Sequence, residues 1–395
     1  MSIEAAKQLL IVGASVRAAA QSAVRAGYTV WGADLFADAD LCAIADARAI
    51  SRYPSGVLAE LATAPQAPWI YTGALENYPA LLERMARLRK CWGNSAEVVR
   101  RVRDPLQLAS VLLPLGVAFP ATYKAEEGMH LPADTTARWL LKPKRSGGGS
   151  KVAWFDEPRS TQASGRTFVQ QYIPGVACSA VYVAAGGRAV LLGMSRQLLG
   201  TEWLGAEGFA YCGSVGGIEL TERQRTQLKH IGDVLAREFG LLGLLGVDLV
   251  QRATEQAGAG EHEFVVIEVN PRYTASVEVL ERSLNFAAIR WHVEACELGE
   301  LPAVSALPAI SAEHVLAKGI LFARQDTTFR AAVAEYVREQ NREPFQPMIA
   351  DVPQIDTTIA CGFPVVTLFA SGSSEAEAED ELRRVVNEFE AMLYN

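Results

Sequence analysis

Two short stretches carry the densest chemistry in the sequence. Gly246-Val247-Asp248-Leu249-Val250 sets one acid inside an otherwise apolar run, and Val265-Val266-Ile267-Glu268-Val269-Asn270-Pro271-Arg272 follows it with an acid, an amide and a guanidinium. Alternate residues of a β-strand share a face, so Glu268 and Asn270 point one way while Ile267 and Val269 point the other. Two carboxylates and an amide oxygen on adjacent strands make a hard, oxygen-rich set suited to Mg²⁺. Burying such carboxylates without a cation is costly. Arg272 lies just beyond, placed to neutralise a transferring phosphoryl group. The other reading of these residues is an exposed polar strand end.

A second stretch, Leu140-Leu141-Lys142-Pro143-Lys144-Arg145-Ser146-Gly147-Gly148-Gly149-Ser150-Lys151, joins two predicted strands. Consecutive glycines let the backbone approach an anion and aim N–H groups at it, and the flanking cations supply the charge a polyphosphate demands. It is not a Walker A loop, because GxxxxGK[ST] is absent and a strand follows where a helix should. A flexible surface hairpin with incidental lysines fits the segment as well. The third stretch, Phe168-Val169-Gln170-Gln171-Tyr172-Ile173-Pro174-Gly175, is an apolar strand that breaks at Pro-Gly. Inside a cleft, such a strand end exposes backbone groups that suit a purine edge.

These segments need elements to hold them. The N-terminal region reads as strand (8–12), tight turn at Gly13-Ala14-Ser15, helix (16–26) and strand (28–33), with a further strand at 68–71. Such alternation predicts a parallel sheet with a crevice at its strand C-termini. The turn lacks GxGxxG, so an NAD-binding oxidoreductase has only the turn to recommend it. A charged helix is predicted over 95–115, with Arg100, Arg101 and Arg103 in it. Short β segments then dominate (139–142, 152–155, 168–173, 179–184, 189–199). A helix over 222–239 precedes strands at 246–250 and 264–269, joined by a polar loop over 251–263. A helix over 277–298 and a Pro/Ala connector over 302–308 lead into mixed α/β sequence.

Composition sets the outer limits. The chain has 395 residues, half of them hydrophobic and 21% charged, with a net charge of −8. That length predicts two or three domains and a core needing no disulfide or metal staple. The acidic balance argues against broad nucleic-acid binding, which needs a basic face. No apolar run approaches the ~18 residues of a membrane span, and Leu9 to Ala14 is too short for a signal peptide. The expectation is a soluble, cytoplasmic protein acting on small molecules, with a homo-oligomer left open. The six cysteines form no CxxC pair and the five histidines never reach metal-ligand spacing, so reduced buried thiols are expected and zinc is not.

In their order and spacing, the three stretches resemble the ATP-grasp superfamily of ligases. More closely, Gln171-Tyr172-Ile173-Pro174-Gly175, Gly193-Met194-Ser195-Arg196-Gln197-Leu198, Tyr211-Cys212-Gly213-Ser214 and Asn270-Pro271-Arg272-Tyr273-Thr274-Ala275-Ser276-Val277-Glu278 resemble a subgroup of ATP-dependent carboligases related to biotin carboxylase. Some members of that subgroup accompany methanofuran- and tetrahydromethanopterin-type cofactor pathways of one-carbon metabolism. The resemblance implies an α/β and α+β fold: an N-terminal Rossmann-like pre-ATP-grasp domain (1–95), a linker helix with the small lobe (96–175), and a large lobe carrying the metal site (176–395). Gly362-Phe363-Pro364-Val365-Val366-Thr367 resembles the end of that lobe.

The same resemblance implies roles. Lys142 would hold the α/β-phosphates, and Ser146 with Gly147, Gly148 and Gly149 would fold over the β/γ-phosphates as a lid. Gln170, Gln171, Tyr172 and Ile173 would read adenine and ribose, with Val250 beneath the ring. Asp248, Glu268 and Asn270 would carry Mg²⁺, with Mn²⁺ as a substitute. Arg196 and Arg272 would flank the transferring phosphoryl and the substrate carboxylate. Relatives often carry an Asp-Lys pair where this chain has Asp104-Pro105, so either Arg103 substitutes or that phosphate contact is missing. The usual ribose carboxylate is also absent, since Val176-Ala177-Cys178 stands there. Substrate loops in such ligases come from the N-terminal domain. Here that points to Tyr71 to Asn77, where Glu76 and Asn77 are the candidate substrate contacts; for Glu76 an ordinary helix N-terminal acid is the alternative.

The expected reaction is amide formation through an acyl phosphate, joining an amino acid such as glutamate to a small amine. The alternatives are a bicarbonate-activating carboxylase, favoured by Arg272 with Val277-Glu278 downstream, and a nucleotide-binding regulator without turnover.

Overall fold

The computed structural model describes residues 7–126, 137–155, 165–253, 262–307, 315–343 and 345–395. Near the N-terminus a parallel sheet runs in the order Asp46–Ala49, Thr29–Asp34, Gln8–Val12, Trp69–Tyr71. The apolar run Leu9 to Val12 is fully buried, as a parallel strand covered on both faces must be.

A four-stranded antiparallel sheet follows, in the order Thr122–Lys124, Thr167–Gln171, Trp139–Pro143, Ala153–Trp154. The third sheet has eight strands, all antiparallel: His262–Asn270, Gly243–Ala253, Val176–Ala185, Arg188–Leu199, Tyr211–Gly216, Val315–Phe322, Pro364–Gly372 and Ile349–Ala350. The helix Glu222–Phe239 packs on it through Leu228, Ile231, Val234, Leu235 and Phe239. That helix has the bounds expected from its sequence, because Thr221 and Gln224 form a capping box and Gly240, at φ +68°, ends it.

Several elements differ from the sequence reading. The helix expected over 95–115 is two helices, Ala96–Val102 and Pro105–Leu112. Asp104 caps the second, accepting from the Leu106 N–H at 2.9 Å, and Pro105 takes its first turn, where the missing N–H costs nothing. The break turns Arg103 out of the helical path. The helix expected over 277–298 is likewise two, Ala275–Leu284 and Ala288–Leu298, parted at Asn285 with φ +53°. The strand Tyr211–Gly216 is an element the sequence reading lacks. The polar connector expected over 251–263 is shorter: the flanking strands run to Ala253 and from His262, and 254–261 lies outside the described residues. Part of the 302–308 connector forms a 3-10 turn, Val304–Ala306, and Pro308 is outside the described residues. Among the described residues, no helix is long and apolar enough to cross a membrane.

Candidate active site

A cleft of about 430 Å³ lies between the four-stranded and eight-stranded sheets. Its apolar end is built by Leu140, Ile173, Leu249, Val250 and Ile267; its polar end by Lys142, Ser146, Asp248, Glu268, Asn270 and Arg272. Gln170, Gln171 and Tyr172 line the edge between the sheets. Gly175, at φ +154°, brings this edge close to the opposite strand: a Cβ there would overlap the Gln251 carbonyl. The proline-glycine break therefore sits at a close approach of the two sheets.

The acidic centre follows from register. Asp248 lies opposite Glu268, and Gly246 opposite Asn270, so the three polar side chains share one surface of the sheet. Asp248 accepts from Gln197 Nε2 at 2.9 Å and from Asn270 Nδ2 at 2.9 Å. Burial first, and then the facing Glu268, push the Asp248 carboxyl up to about 6. Burial also acts upward on Glu268, but Arg103 and Lys142 outweigh it and hold that carboxyl below its ordinary value.

Cations surround this centre. Lys142 Nζ donates to Gln170 Oε1 at 3.0 Å, and burial lowers its ammonium against the pull of Glu268 and Asp248. Gln170 in turn donates to Thr122 Oγ1 at 3.2 Å, so its side chain positions the lysine. Arg272 donates to Glu76 Oε1 at 2.6 Å and to the Tyr273 carbonyl at 3.1 Å. Gly73 makes room for it, since a Cβ there would lie 3.1 Å from Arg272 Cζ. Glu76 Oε2 and Arg272 Nε are both buried without a hydrogen-bond partner. Arg272 lines the cleft and Glu76 is fully buried behind it, so the pair presents to the cleft a guanidinium oriented by an acid.

The glycine-rich loop is seated over the polar end. The Tyr211 N–H donates to the Gly148 carbonyl at 3.0 Å, and the Ser146 carbonyl accepts from Asn77 Nδ2 at 3.2 Å. Gly149, at φ +72°, fits only without a side chain, because a Cβ would overlap the Phe209 carbonyl. Gly148 and Gly149 line the cleft; Gly147 is in the loop but not among the lining residues. Trp154, Tyr172 and Phe209 form an edge-to-face cluster at the loop, with ring centroids 5.0 to 6.5 Å apart.

Among the expected residues, Glu76 and Asn77 do not line the cleft but reach it through Arg272 and the Ser146 carbonyl, and Arg196 is not brought here at all. Arg196 donates to Glu375 at 3.0 Å and to Glu379 at 2.6 Å on the last helix, and does not line the cleft. The reason is the pleat: Gln197 takes the face that meets Asp248, so its neighbour points away. Two contacts lie beyond the sequence reading. Gln197 sits inside the motif that carries Arg196, and strand alternation alone separates the two. The aromatic cluster spans three segments and leaves no local signal. Arg103, the alternative phosphate contact, reaches the acidic centre itself: it donates to Glu268, to Asn270 Oδ1 at 3.2 Å and to the Ser146 carbonyl at 3.1 Å.

The donor set fits Mg²⁺. Among the described residues no group of three or more His, Cys, Asp or Glu side chains gathers to hold a metal. The cleft instead offers two facing carboxylates and an amide, oxygen ligands that a hard cation prefers. Two like-charged acids directly opposite one another are unfavourable without a cation between or beside them.

Residues 102–276 match the family model described as ATP-grasp domain. The fold is similar to that of biotin carboxylase from Campylobacter jejuni (TM-score 0.70, 16% identity, 95% of this chain and 90% of that one). N5-carboxyaminoimidazole ribonucleotide synthetase from Thermus thermophilus has a TM-score of 0.66 at 16% identity, over 98% of this chain and 99% of that one. L-amino acid ligase from Bacillus licheniformis has a TM-score of 0.66 at 14% identity, over 98% of this chain and 97% of that one. At these identities the likeness is one of fold. No curated protein sequence matches the chain. The biotin carboxylase domain of 2-oxoglutarate carboxylase from Hydrogenobacter thermophilus, also similar in fold (TM-score 0.66, 14% identity, 96% of this chain and 89% of that one), is a complex with MgADP.

Proposed function

Starting from a chain that carries an ATP-grasp domain within an ATP-grasp fold, we propose that it is an ATP-dependent carboxylate–amine ligase forming an amide through an acyl phosphate. The observation that carries this reading is the polar end of the cleft. Lys142, Arg103 and Arg272 converge with Asp248, Glu268 and Asn270 under a glycine-rich loop. Among the described residues, no histidine or cysteine lines the cleft. Phosphoryl transfer asks for that inventory: charge neutralisation and exclusion of water rather than a side-chain nucleophile.

In this reading Asp248, Glu268 and Asn270 hold Mg²⁺, which supplies neutralisation of phosphate charge. Lys142 and the N–H groups of the loop orient the polyphosphate, and the apolar end takes the base against Val250. A substrate carboxylate oxygen attacks the γ-phosphorus, and ADP leaves. The amine then attacks the acyl carbon, expels inorganic phosphate and gives up a proton, leaving the amide. Arg272, held by Glu76, faces the developing charge; Asn77 ties that turn to the loop.

The finer reading is an amino acid such as glutamate joined to a small amine, in a one-carbon cofactor pathway of the methanofuran or tetrahydromethanopterin type. The motif resemblance supports it, as do the arginines that can clamp a carboxylate in a fork. Of the two arginines read for that clamp, Arg272 lines the cleft, whereas Arg196 is engaged with Glu375 and Glu379. The unit boundaries we propose are 1–95, 96–175 and 176–395. Six unpaired cysteines suit a reducing, cytoplasmic setting. The carboxylase alternative loses its downstream acid: Glu278 is buried in ion pairs with Arg17 and Lys318, outside the cleft lining.

The test is ADP release across a matrix of carboxylates and amines, with hydroxylamine included to trap the acyl phosphate as a hydroxamate. Hydroxamate and ADP in equal amounts support the ligase. ATP-dependent fixation of labelled bicarbonate would favour the carboxylase, and no release with any pair would favour the regulator.

A further inference from the structure

Arg103 stands where the metal assignment puts a cation. It arrives there because the helical path breaks between Ala96–Val102 and Pro105–Leu112, and its side chain reaches the lining residues Glu268, Asn270 and Ser146 without itself lining the cleft. One guanidinium nitrogen donates to Glu268, to Asn270 Oδ1 at 3.2 Å and to the Val269 carbonyl at 3.3 Å. The other donates to the Ser146 carbonyl at 3.1 Å and reaches Asn77 Oδ1 at 3.5 Å. Its Nε is buried with no partner. Two of the three proposed metal ligands thus already hold a positive charge supplied by the chain itself.

We propose that Arg103 is the resident counter-ion of Glu268 and Asn270 in the nucleotide-free protein, and that a divalent cation loads the cleft only in exchange for it. The inference rests on the assignment of Asp248, Glu268 and Asn270 to the metal. A guanidinium and a divalent ion compete for the same oxygen lone pairs. Metal arriving alone would leave a buried guanidinium beside a second cation, an arrangement that desolvation makes costly. Metal arriving with a polyphosphate brings the anion that the displaced guanidinium requires, within reach of the loop to which it is already bonded through Ser146. Metal and nucleotide affinity are therefore coupled, each strengthening the other. The sequence supplies the reason for an arginine here. A forked, always-charged donor can hold an acid, an amide and a loop carbonyl together, which a lysine could not.

The test uses Mn²⁺ as the probe, without nucleotide, with bound and free ion counted by electron paramagnetic resonance. Arg103→Met is expected to bind Mn²⁺ about tenfold or more tighter than the native chain, within the usual range of coupling between sites. Arg103→Lys, which keeps a charge but cannot fork, should give a smaller gain of the same sign. It carries the test alone if the methionine variant fails to fold. Mn²⁺ affinity unchanged or weakened in the folded variants would overturn the exchange. Adding Glu268→Gln to Arg103→Met should abolish the gain. If the gain survives in that double variant, Arg103 excludes the metal without Glu268, and the assignment of Glu268 to the metal fails together with the exchange.

Discussion

Asp248 and Glu268 face one another across the ladder between Gly243–Ala253 and His262–Asn270, yet their carboxyls are displaced in opposite directions. Burial and the facing acid raise Asp248 to about 6, whereas Arg103 and Lys142 overcome burial and lower Glu268. Without a metal, one acid is a liability and the other an anchor. Metal binding would relieve the first and compete for the second.

Opposite stability effects follow. Asp248 protonates more readily folded than unfolded, so its cost is absent below its unfolded value of 3.8 and fully present above about 6. At pH 7, without metal or nucleotide, Asp248→Asn should stabilise the fold by about 1–2 kcal/mol, a gain that disappears by about pH 4. Glu268→Gln leaves Arg103 buried without its acid and should destabilise by about 2–4 kcal/mol. Chemical denaturation of both variants checks this; equal losses from the two would contradict it.

The glycine-rich loop allows a paired comparison within three residues. Gly149→Ala drives a methyl into the Phe209 carbonyl at a φ of +72°, while nothing lies within 4 Å of a Cβ on Gly147. The first change should reduce the nucleotide-dependent rise in melting temperature severely, and alanine at Gly147 should leave most of it. Matching losses in the two variants would mean that the loop does not close against the 208–211 segment.

Arg196 provides the converse test. Its ion pairs with Glu375 and Glu379 tie a strand of the large sheet to the last helix, outside the cleft lining. The pairs are partly solvent-exposed, so Arg196→Ala should cost only about 1 kcal/mol of stability. KM for nucleotide should stay near native. A large rise in KM with unchanged stability would return Arg196 to the site.

Much of this arrangement is legible before any coordinates. The acid–amide–arginine alternation on 268–272 shows which side chains share a face, and the capping residues fix the 222–239 helix. Pro105 is equally visible: with Asp104 before it, it marks a helix start and outweighs the continuous charged pattern around it. The rest depends on long-range packing. Nothing local links Arg103 to Glu268 or Glu76 to Arg272, which are 165 and 196 residues apart. Arg196 is misplaced for a local reason, because the motif reads as a unit where the pleat splits it.

His292 carries a pH dependence remote from the cleft. It accepts from the Leu244 N–H at 2.8 Å through Nδ1 and pairs with the Trp92 carbonyl at 2.9 Å through Nε2. Burial lowers it from 6.5 to about 4. The unfolded chain therefore takes up this proton first, so the stability held above pH 6.5 drains away as pH falls toward 4, by about 3 kcal/mol. His292→Leu loses stability at pH 7 but should show a flatter decline over that window. An identical pH slope in the variant would rule out His292 as its source.

Oxygen transfer tests the ligase account most directly. With the carboxylate found by ADP release, labelled with ¹⁸O in its carboxyl group, attack on the γ-phosphorus leaves a labelled oxygen bridging carbon and phosphorus. Attack by the amine then releases that oxygen with the phosphate. The account predicts ¹⁸O in inorganic phosphate at every turnover, together with ADP. Amide product accompanied by unlabelled phosphate, or by AMP and pyrophosphate, would contradict it.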